Sequence, residues 1–550
     1  MQAQLLSLHF APHYDILPVF LVPLTLPSRL HKHWMSSATA GGMLLWAAGA
    51  FIIVLAGYVL GRAVYNIFFH PLRRFPGPTW SVASDFSKLW ILRTKQQHRL
   101  GVAAHARYGP VVRVAPNLLA VSDARLLPQI YHRRAEKTDI FTQAILGDLA
   151  PPLEVRDWLE HSTRRKRVAS TFFQTNVRKL ESDIDRCVLE WTAALDRRFA
   201  HTGDRLDFAN WSQWFAYDTI CTLTLGKALG FVAEGCDVAG LLKNFHAMAP
   251  YAALVYALPW LCAPVLKSAF LRKLVLPSRL GDKEATERLM AFRDSLVQEK
   301  RAGRARVEKE EGVTGATGVK NILAAKREDG SAIELEETGP NSFVLMVLAS
   351  DTTAAFICGF VQHVLARPGV HARLLAEIQD FEHRGRFSSP VATFDDIQRM
   401  PYFVACYREV LRCQPPASIL LSRLVGDQGL WLNGQYAPPG TEVGANPYVV
   451  NRDPTVFGDD AEEFRPERWL HGEDQAQEME RYMLTWGYGT RVCLGKNIAM
   501  METYKLLLHF FRRFRPSMAD DKSEWTVQNL GLFVHRNMWL RIEPRHVETA

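Results

Sequence analysis

The longest apolar stretch of the chain lies near its N-terminus. Residues 40–61 contain no charged side chain and are rich in Leu, Ile, Val, Ala and Gly. A helix of this length extends about 33 Å at 1.5 Å per residue, which is enough to cross roughly 30 Å of hydrocarbon. A buried core helix is seldom this long, and a cleaved signal peptide would lie closer to Met1. The pattern therefore predicts one transmembrane anchor over 40–61, preceded by an N-terminal extension over 1–39.

Further along the chain, apolar positions recur mostly at helical spacing. They predict a series of helices, near 175–200, 208–228, 283–302, 340–366, 369–382, 401–413 and 497–515. Two short apolar runs around a Pro-Asn turn predict a hairpin over 111–121, and short strands are expected near 420–446. The polar stretch 303–340 is typical of a surface loop. Many helices with a few short strands predict a mainly α domain with small β-sheets.

Proline and arginine residues follow the apolar segment. Residues 62–78 include Arg73, Arg74 and three prolines. Proline fixes φ and stiffens the chain, and positive charge beside a membrane span marks its cytoplasmic side. We therefore expect a basic, Pro-rich hinge over 62–78 and one large domain over 79–550 that faces the cytosol.

Composition narrows the possible partners. The net charge of +8 could attract nucleic acid, anionic lipid or an acidic protein. No long Lys/Arg run with interleaved aromatics is present, so no nucleic-acid partner is expected. None of the eight cysteines forms a C-x-x-C pair, which disfavours a disulfide framework or a structural zinc site. Seven of them are predicted to be small buried hydrophobes in a reducing compartment, and Cys493 differs.

The clearest chemical signal is the sequence Trp-Gly-Tyr-Gly-Thr-Arg-Val-Cys-Leu-Gly over 486–495. Glycines on both sides of Cys493 allow the backbone to approach a large flat ligand closely. A helix that begins just after Cys493 would turn its N-terminal amides towards the sulfur and favour the thiolate. Arg491 could pair with a carboxylate of the same ligand. These features together favour a haem with its propionates, and an inert buried cysteine is the alternative.

This segment resembles the haem-binding signature F-x-x-G-x-R-x-C-x-G of the cytochrome P-450 superfamily. The match falls on Gly489, Arg491, Cys493 and Gly495, and Trp486 stands where the family usually has Phe. The resemblance implies the cytochrome P-450 fold and a haem b whose iron takes the Cys493 thiolate as its axial ligand. The Trp486 departure affects packing beside the sulfur and not ligation itself.

Two further segments match motifs of the family in the family's order. Glu409 and Arg412 form its E-x-x-R, although such i,i+3 ion pairs also occur on many solvated helix faces. The sequence Phe-Arg-Pro-Glu-Arg-Trp over 464–469 resembles the PERF segment, with Trp in place of Phe. The resemblance implies that Glu409, Arg412 and Arg468 lock together beneath the haem in a structural role.

An acid and a hydroxyl interrupt the long apolar helix at Asp351 and Thr352. Polar groups in such a helix cost free energy unless they are paired. One interpretation is structural, with the hydroxyl bonded to its own helix and the acid in a buried ion pair. The resemblance implies instead that Asp351 and Thr352 manage protons during oxygen activation. Leu348 and Ala349 replace the family's usual Ala-Gly before the acid, which should alter the shape of the pocket.

Three more basic residues match positions that bind the haem propionates in the family. His161 and Arg165 lie in the basic segment 158–168, and Arg423 lies in the strand after the E-x-x-R helix. The resemblance implies that all three contact the cofactor. A solvated, charged helix face is the alternative for His161 and Arg165.

By resemblance, the protein is a membrane-anchored monooxygenase that inserts one atom of O₂ into a small organic substrate. Electrons would come from NADPH through a flavoprotein reductase, and the basic surface would complement that partner. The chain resembles microsomal filamentous-fungal members, which implies the endoplasmic reticulum and a secondary metabolite as the substrate. Two alternatives are a haem-thiolate isomerase or dehydratase that acts without O₂ and a non-catalytic membrane haem protein. The intact pair of Asp351 and Thr352 argues against the isomerase.

Overall fold

The computed structural model describes residues 40–139, 155–243, 335–519 and 525–545, together with isolated positions between these ranges. The chain divides into two units, residues 1–62 and 63–550. The described part of the first unit is helical and belongs to helix α1, Ala40–Val64. The other described elements lie in the second unit.

Helix α1 continues without a break into a π-helical turn, Tyr65–Phe69. Within the described residues, one helix is long and apolar enough to cross a membrane, and it spans Leu45–Phe69. Its large apolar side chains, including Leu45, Phe51 and Ile53, are exposed. The prediction of one long apolar helix near the N-terminus is confirmed. The helix runs past residue 61 because Arg62 is a good helix former and does not interrupt it.

The remaining α-helices of the described residues are numbered in chain order. They are α2 Thr79–Ala83, α3 Ser87–Thr94, α4 Gln97–Tyr108, α5 Leu127–Ile130, α6 Trp158–Ala169, α7 Gln174–Val177, α8 Glu181–Leu195, α9 Phe208–Leu225, α10 Phe231–Glu234, α11 Leu335–Leu365, α12 Pro368–His383, α13 Phe394–Gln398, α14 Pro401–Cys413, α15 Pro447–Val450, α16 Pro454–Phe457, α17 Glu473–Tyr482 and α18 Lys496–Arg513. Short 3₁₀ turns such as Pro466–Leu470 and Gly489–Arg491 lie between them.

Within the described residues, the strands are short and form four small sheets. They are β1 Val111–Ala115, β2 Leu118–Val121, β3 Leu206–Asp207, β4 Arg423–Leu424, β5 Leu430–Leu432, β6 Gln435–Ala437, β7 Glu442–Ala445, β8 Phe514–Met518, β9 Thr526–Asn529, β10 Phe533–Arg536 and β11 Trp539–Pro544. The largest sheet has the order β1-β2-β7-β4, and a second has the order β3-β11-β8. Strands β2 and β7 pair in parallel, with Leu119 opposite Val443, whereas the other pairs are antiparallel. A mainly α domain with small sheets is therefore confirmed.

Helix α11 lies in the middle of the helical core. It packs against α9, α12, α14 and α18. Its buried apolar side chains recur at helical spacing, at Phe356, Ile357, Phe360, Val361 and Val364. The middle of α11 carries Asp351 and Thr352, and the loop before α18 carries Cys493. The core helices thus hold both candidate site segments on rigid elements.

The Pro-rich segment after α1 packs against the largest sheet of the second unit. Leu72 and Phe75 are buried in an apolar cluster with residues of β1, β2 and β7. The amide of Arg113 in β1 donates to the carbonyl of Pro76 at 2.8 Å. A Cβ at Gly77 would collide with the carbonyl oxygen of Arg113, so the chain passes β1 closely only as glycine. At least residues 72–77 are therefore part of the folded unit, and the proposed domain limits at 62 and 78 remain a prediction.

The other sequence predictions can be compared over the described residues. The hairpin over 111–121 and the helices near 208–228, 369–382, 401–413 and 497–515 are confirmed. The long helix begins at Leu335, five residues before the predicted limit. The predicted helix 283–302 and most of the loop 303–340 lie outside the described residues. The prediction of seven buried cysteines was wrong for Cys236, which is exposed, and for Cys262, which is half-buried.

Candidate active site

Cys493 lies in a tight loop just before α18. Its amide donates a hydrogen bond to the carbonyl of Trp486 at 2.7 Å, which closes the loop. Gly489 has a φ of +64°, and a Cβ there would lie 2.5 Å from the carbonyl oxygen of Tyr131. Only glycine permits that approach, so Gly489 allows the loop to lie against the end of α5. Trp486 packs against the main apolar core.

The sulfur of Cys493 is reachable although it lies deep in the protein. Its side chain is exposed, yet burial raises the pKa of its thiol. The amides of Gly495 and Lys496 and the charge of Arg165 oppose that rise. A side chain that is surrounded by protein and still has an open surface faces an internal cavity. The thiolate would be stabilised further by a cation bound in that cavity.

Basic side chains converge beside this cavity. Burial and the nearby charge of Arg423 lower the pKa of Arg491 to about 10. Burial, followed by the charges of Arg491, Lys137, Arg165 and Arg423, lowers the pKa of His161 to about 3. The pKa values of His161 and Arg491 are therefore lowered in part by repulsion from neighbouring cations. The structure brings together all four basic residues that the sequence predicted for the propionates.

These cations bind backbone carbonyls rather than carboxylates. Arg491 donates to the carbonyls of Val155 and Arg156, both at 2.8 Å. Arg423 donates to the carbonyl of Ser422 at 2.8 Å and lies over the ring of Tyr131. Within the part of the chain that the structure describes, Arg165, Arg423 and Arg491 form no ion pair with a carboxylate. Arg423 is buried and Arg165 and Arg491 are half-buried, and such cations without counter-ions favour an anionic ligand.

Glu409 organises a buried polar cluster at the end of α14. Arg412 donates to its two carboxylate oxygens at 2.9 and 2.8 Å, and Arg468 donates at 3.0 Å. Burial raises the pKa of Glu409, but Arg412 and Arg468 outweigh burial and lower it overall. Trp469, at the position where the family motif has Phe, donates its indole N–H to Glu409 at 2.9 Å. The three residues predicted to lock together are therefore in contact, and the tryptophan adds a further donor to Glu409.

The carboxylate of Asp351 points towards α9. Gln213 donates to its Oδ1 at 2.8 Å, and the hydroxyl of Tyr217 lies 3.4 Å from the same oxygen. Nε2 of His246 lies 3.5 Å from Oδ2. Asp351 is thus held by polar partners, as its position in an apolar helix requires. Sequence reasoning missed these partners because they lie more than a hundred positions away along the chain.

The two threonines after Asp351 have different environments. Thr352 Oγ1 donates to the carbonyl of Ala349 at 3.3 Å, the bond to its own helix that the structural interpretation expects. Thr353 donates to Glu502 of α18 at 2.9 Å, and burial raises the pKa of Glu502 to about 8. This acid, which sequence reasoning also missed, ties α11 to the helix that follows Cys493. The side chain of Leu348 lies outside the described residues.

The residues around the cavity fit a haem. Cys493 could offer its sulfur to iron from a loop that glycine keeps close to its neighbours. The cations at Arg165, Arg423 and Arg491 lack carboxylate partners, which two propionates would supply. A mainly α fold with a reachable cysteine and this cationic cluster is the arrangement of a haem-thiolate protein.

Comparisons with known proteins agree with that class. The family model described as cytochrome P450 matches residues 76–539. The chain therefore belongs to the cytochrome P450 family, an oxidoreductase family whose members hold haem through a cysteine thiolate.

Several curated fungal proteins are similar over most of this chain. "Quiannulatic acid synthase" of Emericella variicolor is 31% identical over 82% of this chain and 89% of its own length. "Cytochrome P450 monooxygenase asR2" of Sarocladium schorii is 30% identical over 90% of this chain and 96% of its own length. "Cytochrome P450 monooxygenase mpaDE" of Penicillium brevicompactum is 30% identical over 89% of this chain, which spans only 57% of that longer protein. These names support an oxidoreductase of the cytochrome P450 monooxygenase type.

Proposed function

We propose that this protein is a membrane-anchored haem-thiolate monooxygenase that uses O₂ and electrons from NADPH. The observation that carries the proposal is the exposed side chain of Cys493, which lies near a group of arginines that form no ion pair with a carboxylate in the described part of the chain. Haem b bound there through a thiolate supplies the electron transfer and oxygen chemistry of the reaction.

The residues of this chain divide the remaining tasks. Cys493 would ligate the iron, and a set of basic side chains would hold the two propionates, namely His161, Arg165, Arg423 and Arg491. Asp351 and Thr352 would hold and transfer protons at their carboxylate and hydroxyl oxygens. Glu409, Arg412 and Arg468 would keep the chain beneath the haem in place. The walls of the cavity would exclude bulk water, which strengthens each of these electrostatic contacts.

Electrons would come from a membrane-bound, NADPH-dependent flavoprotein reductase. The net charge of +8 supports an acidic protein partner. A small organic substrate would enter the same cavity as the haem, and the resemblance to filamentous-fungal enzymes favours a secondary metabolite. Metabolite profiling of a strain that lacks the gene would identify the compound that accumulates unoxidised.

Oxygen dependence separates this proposal from its alternatives. The purified protein, reconstituted with a fungal reductase in lipid, should consume NADPH only when O₂ is present. An isomerase or dehydratase would convert its substrate in the absence of O₂ without consuming NADPH. A non-catalytic haem protein would show neither reaction above the rate of the reductase alone. Either of those two results would contradict the monooxygenase proposal.

We also propose that α1 anchors the protein in the endoplasmic reticulum, with the haem domain in the cytosol. Its exposed apolar side chains support this proposal. Deletion of residues 1–62 should release at least part of the protein from carbonate-washed membranes. The deletion ends there because Asn66 belongs to the folded unit, where its carbonyl accepts a hydrogen bond from Arg113 at 2.8 Å.

A full-length variant with a disrupted apolar helix is the control for the deletion, because its chain length is unchanged. Replacing Ile53 and Leu55 by Arg should weaken membrane insertion by roughly 2.5–3.5 kcal/mol per residue. Exposed aromatic side chains of the second unit would explain partial retention of the deleted protein. The ring centroids of Trp80 and Trp90 lie 5.1 Å apart, and those of Phe86 and Trp260 lie 6.3 Å apart. Full retention of both variants would contradict the single-anchor proposal.

A further inference from the structure

Three polar side chains surround the carboxylate of Asp351. Gln213 and Tyr217 of α9 approach Oδ1, and His246 approaches Oδ2. Side-chain exposure is 16% for Asp351 and 31% for His246, so the histidine is the more accessible to solvent. The cluster therefore places a more exposed histidine beside an acid in the middle of the core helix α11.

Gln213 contacts both neighbours through one nitrogen. Its Nε2 lies 2.8 Å from Asp351 Oδ1 and 3.1 Å from His246 Nε2. An amide NH₂ carries two hydrogens and can donate one to each. In this arrangement Nε2 of His246 accepts a hydrogen bond from Gln213.

Protonation of His246 must change these contacts. With a hydrogen on Nε2, the imidazolium can no longer accept from Gln213 and becomes a donor. The acceptor at hand is Asp351 Oδ2, which already lies 3.5 Å away. Hydrogen bonds of this kind are often long in a resting structure and shorten when the proton moves. The cluster thus has one arrangement for each protonation state of the histidine.

We propose that His246 supplies Asp351 with the protons that the oxygen reaction consumes, an inference that rests on the monooxygenase function proposed above. The Nε2–H bond of the imidazolium breaks, its electron pair stays on nitrogen, and an O–H bond forms at Oδ2 of Asp351. Solvent then reprotonates His246. Gln213 and Tyr217 position the carboxylate and do not exchange protons.

Proton transfer to Asp351 also loosens its contacts. The bonds from Gln213 and Tyr217 to an ionised carboxylate are charge-assisted and weaken when the carboxylate becomes neutral. The side chain of Asp351 can then rotate to another staggered conformer, towards Thr352, without leaving a charge unpaired. Burial, followed by the charge of Asp351, raises the pKa of Tyr217 well above its usual range, so this hydroxyl remains neutral. The other titratable groups that influence Tyr217 are Cys221 and Asp237.

The test uses full-length protein with a fungal reductase in lipid, with NADPH and O₂ as the probes. His246→Gln keeps a polar side chain but cannot carry a proton. We expect its oxygen-dependent NADPH oxidation to fall about tenfold, less than the roughly 10²–10⁴-fold contributed by a positioned proton donor, because water can still reach Asp351. Hydrogen peroxide formed per NADPH and the solvent deuterium isotope effect should both rise. The matched control is His201→Gln, since His201 faces Asp196 at 3.7 Å on the surface, and it should behave as wild type.

A second readout does not depend on activity. Diethyl pyrocarbonate modifies neutral imidazole, and mass spectrometry reports the rate at His246 with His201 as the internal reference. Asp351→Asn removes the charge that favours the unreactive imidazolium, so His246 should be modified faster in that variant. An unchanged modification rate would overturn the proposal, as would a normal peroxide yield in His246→Gln beside an altered one in Asp351→Asn. A wild-type protein that never consumes NADPH with O₂ would instead overturn the monooxygenase function itself.

Discussion

The Cys493→Ser protein should fold but give no thiolate-type band in the spectrum of its reduced carbon-monoxide complex. Serine preserves the backbone bond from residue 493 to the carbonyl of Trp486, because that bond uses only the amide. Its hydroxyl, however, ionises at far higher pH than a thiol and is a poor ligand for haem iron. Turnover with NADPH should therefore be lost, because the thiolate is the ligand that promotes cleavage of the O–O bond.

A cysteine outside the site provides the control for this substitution. Cys236 is exposed, and Cys236→Ser should retain both the spectrum and the haem content of the wild type. Absorbance of the reduced carbon-monoxide complex and a haem assay on the same samples separate loss of the ligand from loss of the haem. A thiolate-type band in Cys493→Ser would show that another residue is the ligand.

Thr352→Ala should separate consumption of oxygen from formation of product. The hydroxyl at this position would deliver protons, a contribution of roughly 10²–10⁴-fold to the step it serves. Reduction of the iron does not need this hydroxyl and should continue. The reduced oxygen should therefore leave as hydrogen peroxide, and product formed per NADPH should fall. Peroxide, product and NADPH are measured together, with Asp351→Asn alongside.

The neighbouring threonine offers a matched control on the same helix. Thr353 donates to the buried Glu502, so Thr353→Ala should lower thermal stability, since the acid loses its partner. The loss of a buried hydrogen bond costs about 1–3 kcal/mol. Its effect on peroxide formed per NADPH should be small. Unchanged coupling in both Thr352→Ala and Asp351→Asn would mean that this pair is structural, as the bond from Thr352 to Ala349 would allow.

Sequence patterns predicted those elements that carry their own start and stop signals. Helix α14 begins at Pro401 and ends at Cys413, as predicted, because proline favours the first turn and Pro415 and Pro416 prevent continuation. The start of α11 was placed too late because the polar residues from Leu335 onward show no helical periodicity. The cysteine loop was predictable for a similar reason, since glycines and a basic residue stand next to Cys493 in the chain.

Contacts between distant segments were not predictable from local patterns. Asp351 could be singled out because an acid is costly in an apolar helix, but its partners Gln213, Tyr217 and His246 have no marker in the sequence. Lys137 joins the basic cluster only because an isolated bridge pairs it with Arg423. Such contacts arise from how helices and strands pack. The sequence thus predicted candidate site residues but not the network of contacts around them.

Because the Pro-rich segment passes close to β1, it limits where the N-terminal anchor of this enzyme can be exchanged for that of another protein. Leu72 and Phe75 are buried in the folded unit, and Gly77 lies against the carbonyl oxygen of Arg113. Any exchange of the N-terminal anchor should therefore join the foreign sequence upstream of Asn66. A junction inside 72–77 would remove apolar side chains that cover the sheet, and the exposed apolar surface would promote aggregation. The same limit applies to soluble versions made for crystallisation, which should retain residues 72–77 although the match to the family begins only at residue 76.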